Sequence, residues 1–152
     1  MRFNPNDKTV DVDEIETLMD TYDSDGVFTT RKLYIKNFYI HIIKLIHCGH
    51  MMTFRDDNGY LRGFCSWILV DKESKKDINK VRWILPKEIG YGNILYIPLC
   101  LTTSTFMIHV IRNSLTEQFK DKVNEVFWFN VGRGKFFHQN VKGDIKCHNV
   151  AD

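Results

Sequence analysis

Apolar and polar positions along the chain predict two helices, followed by strands and two further helices. From residue 11 to residue 22 apolar residues recur every three or four positions, with acidic residues in the first turn, which predicts an amphipathic helix. Ten of the sixteen residues at 32–47 are apolar, and the length of this run favours a buried helix over a strand, although its β-branched content favours a strand. Gly49 then ends the helix, because glycine readily adopts the left-handed conformation that closes helices.

The stretch that follows predicts a β-hairpin. Two β-rich runs, residues 51–55 and 60–70, flank Asp56-Asp57-Asn58-Gly59, and Asn-Gly between such runs is a strong signal for a tight turn. Beyond the hairpin the pattern predicts a charged, solvated connection at residues 71–80, a strand at residues 81–85 and a loop at residues 89–93.

A proline interrupts the next predicted strand, residues 93–101. Pro98 has no N–H to donate, so a strand here needs a bulge or an edge position. The hydroxyls that follow can cap a helix over residues 104–119. Its apolar face comprises Met107, Ile108, Ile111, Leu115 and Phe119. A strand at residues 123–129 and a short helix at residues 133–141, ending at Gly143, complete the prediction.

The composition indicates one globular domain over residues 1–152, and the predicted helices and strands together indicate a mixed α+β fold. Apolar residues make up 43% of the chain, enough for a core. A net charge of +2 gives no reason to expect nucleic-acid binding. The sequence contains no run of 18 apolar residues, so no membrane span is expected. The first residues lack the apolar core of a signal peptide, so we expect a cytoplasmic protein with reduced cysteines. Ile, Lys and Asn number 15, 14 and 11 against one Ala, which indicates an AT-rich genome, such as that of a phage, with the host cytoplasm or the virion as location.

The order of the predicted elements resembles the GNAT acyltransferase superfamily. Within it, the segment from Phe54 to Trp67 (FRDDNGYLRGFCSW) resembles the RTX-toxin-activating lysine acyltransferases, whose hairpin also ends in Cys-Ser-Trp. A looser likeness extends to residues 93–105 and 134–138. The resemblance implies a central, mostly antiparallel twisted sheet with a splayed strand pair and flanking helices.

The resemblance also implies a cosubstrate, acyl-CoA or acetyl-CoA (or acyl carrier protein), and an amine or protein lysine as acceptor. In that fold the pantetheine arm lies where one strand bulges and splays from the next, which suits Pro98. The pyrophosphate lies on the N-terminus of the following helix. Backbone N–H groups of Leu99 or Cys100 would stabilise the oxyanion. The implied cofactor-binding residues are Leu99, Cys100, Leu101, Thr102, Thr103, Ser104, Thr105, Asn130, Arg133 and Lys135.

Two histidines are candidate catalytic bases, because neutral imidazole can take a proton from an amine near physiological pH. His50 is expected to be exposed at the entry to the hairpin, and His138 lies in the predicted acceptor slot. Ordinary surface or core-edge roles stay open for both. Cys65 is interpreted as a buried structural residue. No metal is expected. A zinc site from His47, Cys48, His50, Cys147 and His148 lacks paired CxxC spacing, and the acids at residues 23–26 lack the glutamate that closes a calcium loop.

Departures from the superfamily favour an alternative. Residues 101–106 are neither basic nor glycine-rich, and Phe137 lies where the superfamily often has a tyrosine acid. The catalytic histidine of the toxin activators aligns near residues 29–31 of this chain, and their catalytic aspartate aligns near Pro98. This chain has neither residue type at those positions. The alternative is a catalytically inactive GNAT-fold protein with a binding or structural role, which associates with a protein partner or with itself.

Overall fold

The computed structural model describes residues 1–22, 38–81, 92–130, 135–140 and 145–149, and these residues form a mixed α+β fold, as predicted. Four helices occupy this part of the chain: α1 (Val12–Tyr22), α2 (Phe38–His47), α3 (Lys72–Val81) and α4 (Thr105–Phe119). The strands are β1 (Arg2–Asn4), β2 (Met51–Arg55), β3 (Leu61–Ser66), β4 (Ile68–Val70), β5 (Ile94–Ile97), β6 (Cys100–Leu101), β7 (Glu125–Asn130), β8 (Lys135–Asn140) and β9 (Ile145–Asn149).

The strands form two mostly antiparallel sheets. One sheet has the order β1-β2-β3-β6, and the other has the order β4-β5-β7-β8-β9. The pair β5–β7 is parallel, and α4 lies between these two strands in the chain, as a crossover connection between parallel strands requires. The remaining pairs are antiparallel.

The two sheets meet where two neighbouring segments each pass from one sheet to the other. The first segment is residues 65–68 and the second is residues 96–100. Cys65 pairs with Cys100 in one sheet, and Ile68 pairs with Tyr96 in the other. Three steps along the first segment therefore face four steps along the second, so the second carries one extra residue. This is a β-bulge around Pro98, as the missing N–H of proline predicted. We call this place the sheet junction: Ser66, Trp67, Pro98 and Leu99.

Each face of the sheets carries its own buried cluster. The cluster on one face joins residues of α1 and α2 to Met51, Phe64, Tyr96 and Phe127. The cluster on the other face joins residues of α4 to strand residues of the opposite parity, and it includes Met52, Cys65, Trp67 and Leu95. The alternation of side chains along β2 and β3 explains this division, because successive residues of a strand point to opposite faces.

The two best-predicted helices are confirmed, with one correction. In α1 the residues Ile15, Leu18 and Met19 are buried, as the periodicity predicted. Helix α4 begins at Thr105 after the N-cap Ser104 and buries every predicted residue of its apolar face except Ile108. The prediction for Ile108 is wrong, because its side chain is 42% exposed.

Residues 71–80 are not a solvated connection, because α3 occupies most of them. Asp71 caps this helix, since its Oδ1 accepts a hydrogen bond of 2.7 Å from the Ser74 N–H. Ile78 reaches the core and is 1% exposed, and Lys75 forms an ion pair with Glu125 of β7. Among the described side chains of this helix one isoleucine is buried and its neighbours are mostly charged, which is too weak a periodicity for the helix to be recognised from sequence.

Two strand predictions and one helix prediction also need correction. The predicted strand at residues 60–70 is two strands, β3 and β4, separated by Trp67. Val81 ends α3 rather than beginning a strand, and residues 82–85 lie outside the described residues. The predicted short helix at residues 133–141 is the strand β8, because β7 and β9 pair with it on both edges. The predicted features at residues 23–26 and at Gly143 lie outside the described residues.

A buried carboxylate fixes the N-terminal strand against β2. Asp7 is 2% exposed, and its Oδ1 accepts hydrogen bonds from the Thr9 N–H (2.8 Å), the Thr9 hydroxyl (2.7 Å) and the Val10 N–H (3.2 Å). Its Oδ2 accepts a bond of 2.6 Å from the Thr53 hydroxyl and lies 3.9 Å from Arg55. We call these residues, with Glu14, the polar anchor. Glu14 joins it through two hydrogen bonds from the Arg55 guanidinium, of 2.7 and 2.9 Å.

Candidate functional site

The candidate site is the place where β6 turns away from β7. The parallel ladder between β5 and β7 runs from the pair Ile94–Glu125 to the pair Ile97–Trp128 and ends there. After the bulge at Pro98 the chain continues as β6, which pairs with β3 in the other sheet, while β7 continues to Asn130. The two parallel segments therefore share a ladder at one end only. We call the region beyond Ile97 and Trp128, where the described residues form no further ladder between the two segments, the β6–β7 gap.

Ser66 holds the bulged segment from the β3 side. Its N–H donates a bond of 2.8 Å to the Leu99 carbonyl, and its hydroxyl lies 3.1 Å from that carbonyl oxygen and accepts a bond of 3.0 Å from the Leu99 N–H. The Leu99 side chain is 1% exposed. The N–H that was predicted to stabilise an oxyanion therefore already has a partner inside the protein.

Cys100 has the opposite backbone orientation. Pairs in an antiparallel ladder alternate between hydrogen-bonded and non-hydrogen-bonded types. Because Ser66 and Leu99 share a hydrogen bond across the ladder, the next pair, Cys65 and Cys100, is of the non-hydrogen-bonded type. The backbone N–H and carbonyl of Cys100 therefore face away from β3, towards the β6–β7 gap. Its side chain is exposed.

The N-terminus of α4 follows β6 after a short polar turn. Thr103, Ser104 and Thr105 are exposed, and Leu101 and Thr102 are half-buried. The Ser104 hydroxyl accepts a bond of 3.4 Å from the Met107 N–H, and the Thr103 hydroxyl donates a bond of 2.9 Å to the Arg62 carbonyl. These bonds fix the turn, and the helix dipole gives this end a partial positive charge that favours anions.

His50 is half-buried, so the prediction that it is exposed is wrong. Its ring stacks on Trp67 with the ring centroids 3.8 Å apart. Burial lowers the pKa of His50, although a hydrogen bond to the backbone of Trp67 opposes this shift, so its imidazole is neutral near pH 7. Within the described part of the chain, two buried nitrogens, His50 Nδ1 and Trp67 Nε1, have no hydrogen-bond partner. Such atoms are rare in native proteins, and they lie beside the bulge.

Of the remaining predicted site residues, Asn130, Lys135 and His138 are described by their backbone only. Asn130 ends β7 and pairs with Lys135, the first residue of β8. His138 pairs with Phe127 in the middle of the β7–β8 ladder. The structure thus puts Asn130 and Lys135 at the same end of this ladder, while Arg133 lies outside the described residues.

Sequence reasoning missed one feature of this site and one feature elsewhere in the molecule. The hydrogen bonds between Ser66 and Leu99, which we call the Ser66–Leu99 clamp, depend on the register between β3 and β6. The motif Cys-Ser-Trp gives no local signal of that register. A cleft of about 470 Å³ between α1 and the hairpin, lined in part by Asp13, Tyr22, Tyr60 and Arg62, was also not predicted. This cleft lies on the α1 face of β3, away from α4.

The described residues also bear on a membrane span and on a metal site. None of the helices in the described ranges combines the length and the apolar character that a membrane crossing needs. Among the same ranges, no group of three or more His, Cys, Asp or Glu side chains is arranged to hold a metal ion.

Comparisons of this chain with protein-family models, with curated proteins and with solved structures found no match.

Proposed function

We propose that this chain is a GNAT-like acyltransferase domain, which binds acyl-CoA in the β6–β7 gap and transfers the acyl group to an amine. The observation that carries the proposal is the separation of two parallel segments at a bulge, immediately before a helix. The ladder ends at Ile97–Trp128, Pro98 removes a backbone donor, and α4 begins at Thr105. An extended pantetheine arm is the kind of ligand that can pair with the backbone of such a strand edge.

The phosphate end of the ligand is assigned to the exposed turn before α4. The first N–H groups of a helix have no partner within the helix, and its dipole favours a negative charge there. Because residues 101–106 contain no Lys or Arg, backbone N–H groups would supply most of this binding. Arg133 and Lys135 are the candidates for the 3′-phosphate.

The reaction needs a base for the amine. The nitrogen attacks the thioester carbonyl, a C–N bond forms, the C–S bond breaks, and the proton of the amine passes through the base to the departing thiolate. His50 is the candidate base with a described environment, and its neutral imidazole at pH 7 suits the task. His138 is the second candidate.

A catalytically inactive binding domain is the second proposed function. It is favoured by the Leu99 N–H, which donates to the Ser66 hydroxyl and so does not act as an oxyanion donor in this geometry. A domain of this kind would bind CoA or a protein partner without turnover.

Calorimetric titration with acetyl-CoA and longer acyl-CoAs tests the binding step. Thr105→Glu puts a carboxylate at the exposed N-terminus of α4, where it stabilises the helix but repels a pyrophosphate. We expect Thr105→Glu to weaken CoA binding roughly tenfold, which corresponds to about 1.4 kcal/mol. Thr116→Glu, a matched charge change at an exposed position of the same helix, should leave affinity unchanged. If no acyl-CoA binds saturably, the proposal fails.

An acyl-transfer assay with small amines and lysine peptides separates the two functions. The acyltransferase proposal predicts product formation that His50→Gln reduces at least tenfold while CoA affinity stays the same. Saturable CoA binding without any transfer would favour the inactive binding domain.

A further inference from the structure

We propose that Cys65 and Cys100, which face each other on neighbouring strands, form a pair of thiols that a small disulfide compound oxidises reversibly to an intramolecular disulfide. The two residues face each other directly in the ladder between β3 and β6. Neither forms a disulfide in the structure. The inference concerns a modification site and does not depend on the proposed acyltransferase function.

The register gives the geometry that a disulfide needs. Because the pair is of the non-hydrogen-bonded type, its Cα atoms are expected about 4.5 Å apart, with the side chains on the same face and closer than in the other type. Disulfides span Cα separations of roughly 4.4 to 6.8 Å. Oxidation therefore requires no sliding of β6 along β3.

The two thiols differ in access, which gives each a separate role. Cys100 is exposed at the edge of the β6–β7 gap, whereas Cys65 is 0% exposed and lies in the cluster beneath α4. A hydrogen bond to the sulfur of Cys100, together with burial, raises the pKa of the Cys65 thiol. Cys65 therefore keeps its proton, and the exposed Cys100 is the group that meets an oxidant first.

The oxidation balances with a low-molecular-weight disulfide, for which glutathione disulfide is the probe. The Cys100 thiolate attacks one sulfur of the probe, a mixed disulfide forms, and one glutathione leaves as a thiolate. Cys65 then loses its proton and attacks the Cys100 sulfur, and the second glutathione leaves. Two protein thiols lose two electrons and two protons in total, and one glutathione disulfide is reduced to two thiols.

The disulfide would close a loop that contains the whole sheet junction. Trp67, α3 and the bulge at Pro98 all lie between Cys65 and Cys100 in the chain. The bond would fix β6 to β3 and remove the exposed thiol from the edge of the gap. The oxidised protein should unfold at a higher urea concentration than the reduced protein, because the unfolded chain loses entropy when a loop is closed.

The test equilibrates the full chain with defined ratios of glutathione and glutathione disulfide, followed by alkylation of the remaining thiols and mass spectrometry of the intact protein and its peptides. The expected result is a disulfide between Cys65 and Cys100, with the loss of two alkylatable thiols, which dithiothreitol reverses. Cys48→Ser, which removes an exposed cysteine outside the pair, should form the bond as the wild type does.

Two variants separate the roles of the thiols. Cys65→Ser, or Cys65→Ala if the serine variant does not fold, should stop at a stable mixed disulfide between Cys100 and glutathione. Cys100→Ser should leave Cys65 unreactive in the folded protein. A wild-type protein that accumulates only the mixed disulfide, or that links Cys48 instead, would overturn the proposal.

Discussion

The polar anchor and the sheet junction differ in whether their buried polar side-chain atoms have hydrogen-bond partners. In the anchor each oxygen of Asp7 accepts at least one hydrogen bond, and Arg55 is shared between Asp7 and Glu14. At the junction the backbone is bulged, and neither Trp67 Nε1 nor Nδ1 of the neighbouring His50, both buried, has a hydrogen-bond partner among the described residues. A buried polar group without a partner costs about 1 to 3 kcal/mol. The difference indicates that the anchor serves stability and that the junction is the place to look for a ligand.

Replacing Asp7 tests the anchor and should have the largest effect. In Asp7→Ala the Thr53 hydroxyl and the N–H groups of Thr9 and Val10 lose their acceptor in the interior. We expect a loss of about 3 kcal/mol in the free energy of unfolding, measured by urea denaturation. Asp57→Ala, at a side chain that is 97% exposed, should change it by less than about 0.5 kcal/mol. Equal losses in both variants would remove the distinction between anchor and surface.

The same carboxylates make the anchor sensitive to acid. Burial raises the pKa of Asp7, but hydrogen bonds from Thr53 and Thr9 outweigh it and leave the pKa lowered. The hydrogen bond from Arg55 lowers the pKa of Glu14. Their contribution to stability is therefore complete above the pKa values of the unfolded chain, about 4, and is lost as the pH falls through the lower folded values.

Ser66→Ala tests the clamp that joins the two sheets. The Leu99 N–H loses its acceptor, although the Ser66 N–H still donates to the Leu99 carbonyl. We expect a loss of about 2 kcal/mol in urea denaturation, because a buried N–H is left without a partner. Thr116→Ala removes a hydroxyl from an exposed helix position and should be close to neutral. A neutral Ser66→Ala would mean that the clamp does not hold the bulge.

Trp67→Phe should have a small effect, unlike the changes in the anchor. The substitution removes a buried N–H for which the described ranges offer no hydrogen-bond partner, and this offsets the loss of ring area against His50 and Phe119. We expect a net change within about 1 kcal/mol, whereas Trp67→Leu, which loses both aromatic contacts, should cost more. A loss above about 3 kcal/mol in Trp67→Phe would show that the indole N–H has a partner in solution.

His50 should give the junction a weak dependence on pH. Because burial lowers its pKa in the folded state, the unfolded chain binds more protons below about pH 6.5. The wild-type protein should therefore lose stability as the pH falls from 7.5 to 5.5, by less than either the Asp7 or the Ser66 substitution costs. Urea denaturation of His50→Gln at both pH values should show a smaller loss than the wild type. An identical loss in the variant would argue against a buried neutral imidazole.

Local patterns predicted the elements that local physics determines. The periodicity of α1 and α4, the Asn58-Gly59 turn and the bulge at Pro98 follow from neighbouring residues. The helix α3 was missed because Ile78 is the one buried apolar residue among its described side chains. The strand β8 was taken for a helix because its six residues alone do not identify a strand, which is defined by its pairing with β7 and β9.

The candidate site was predicted only in part for a similar reason. Pro98 and Ser104 indicated a broken strand before a capped helix, and both features are present. The Ser66–Leu99 clamp and the facing cysteines depend on the register between β3 and β6, which are far apart in sequence, and the stacking of His50 on Trp67 depends on the register of the β2–β3 hairpin. Register is set by the assembled sheet, so no local motif could reveal these contacts.

The most direct test of the central claim is a ¹H–¹⁵N NMR titration of the full chain with an acyl-CoA. The proposal that the β6–β7 gap holds this ligand predicts saturable shifts of the backbone amides from Cys100 to Thr105 and of the Trp67 indole N–H. Amides of the polar anchor, such as that of Thr53, should not move. An absence of saturable shifts, or shifts confined to the cleft between α1 and the hairpin, would contradict the account.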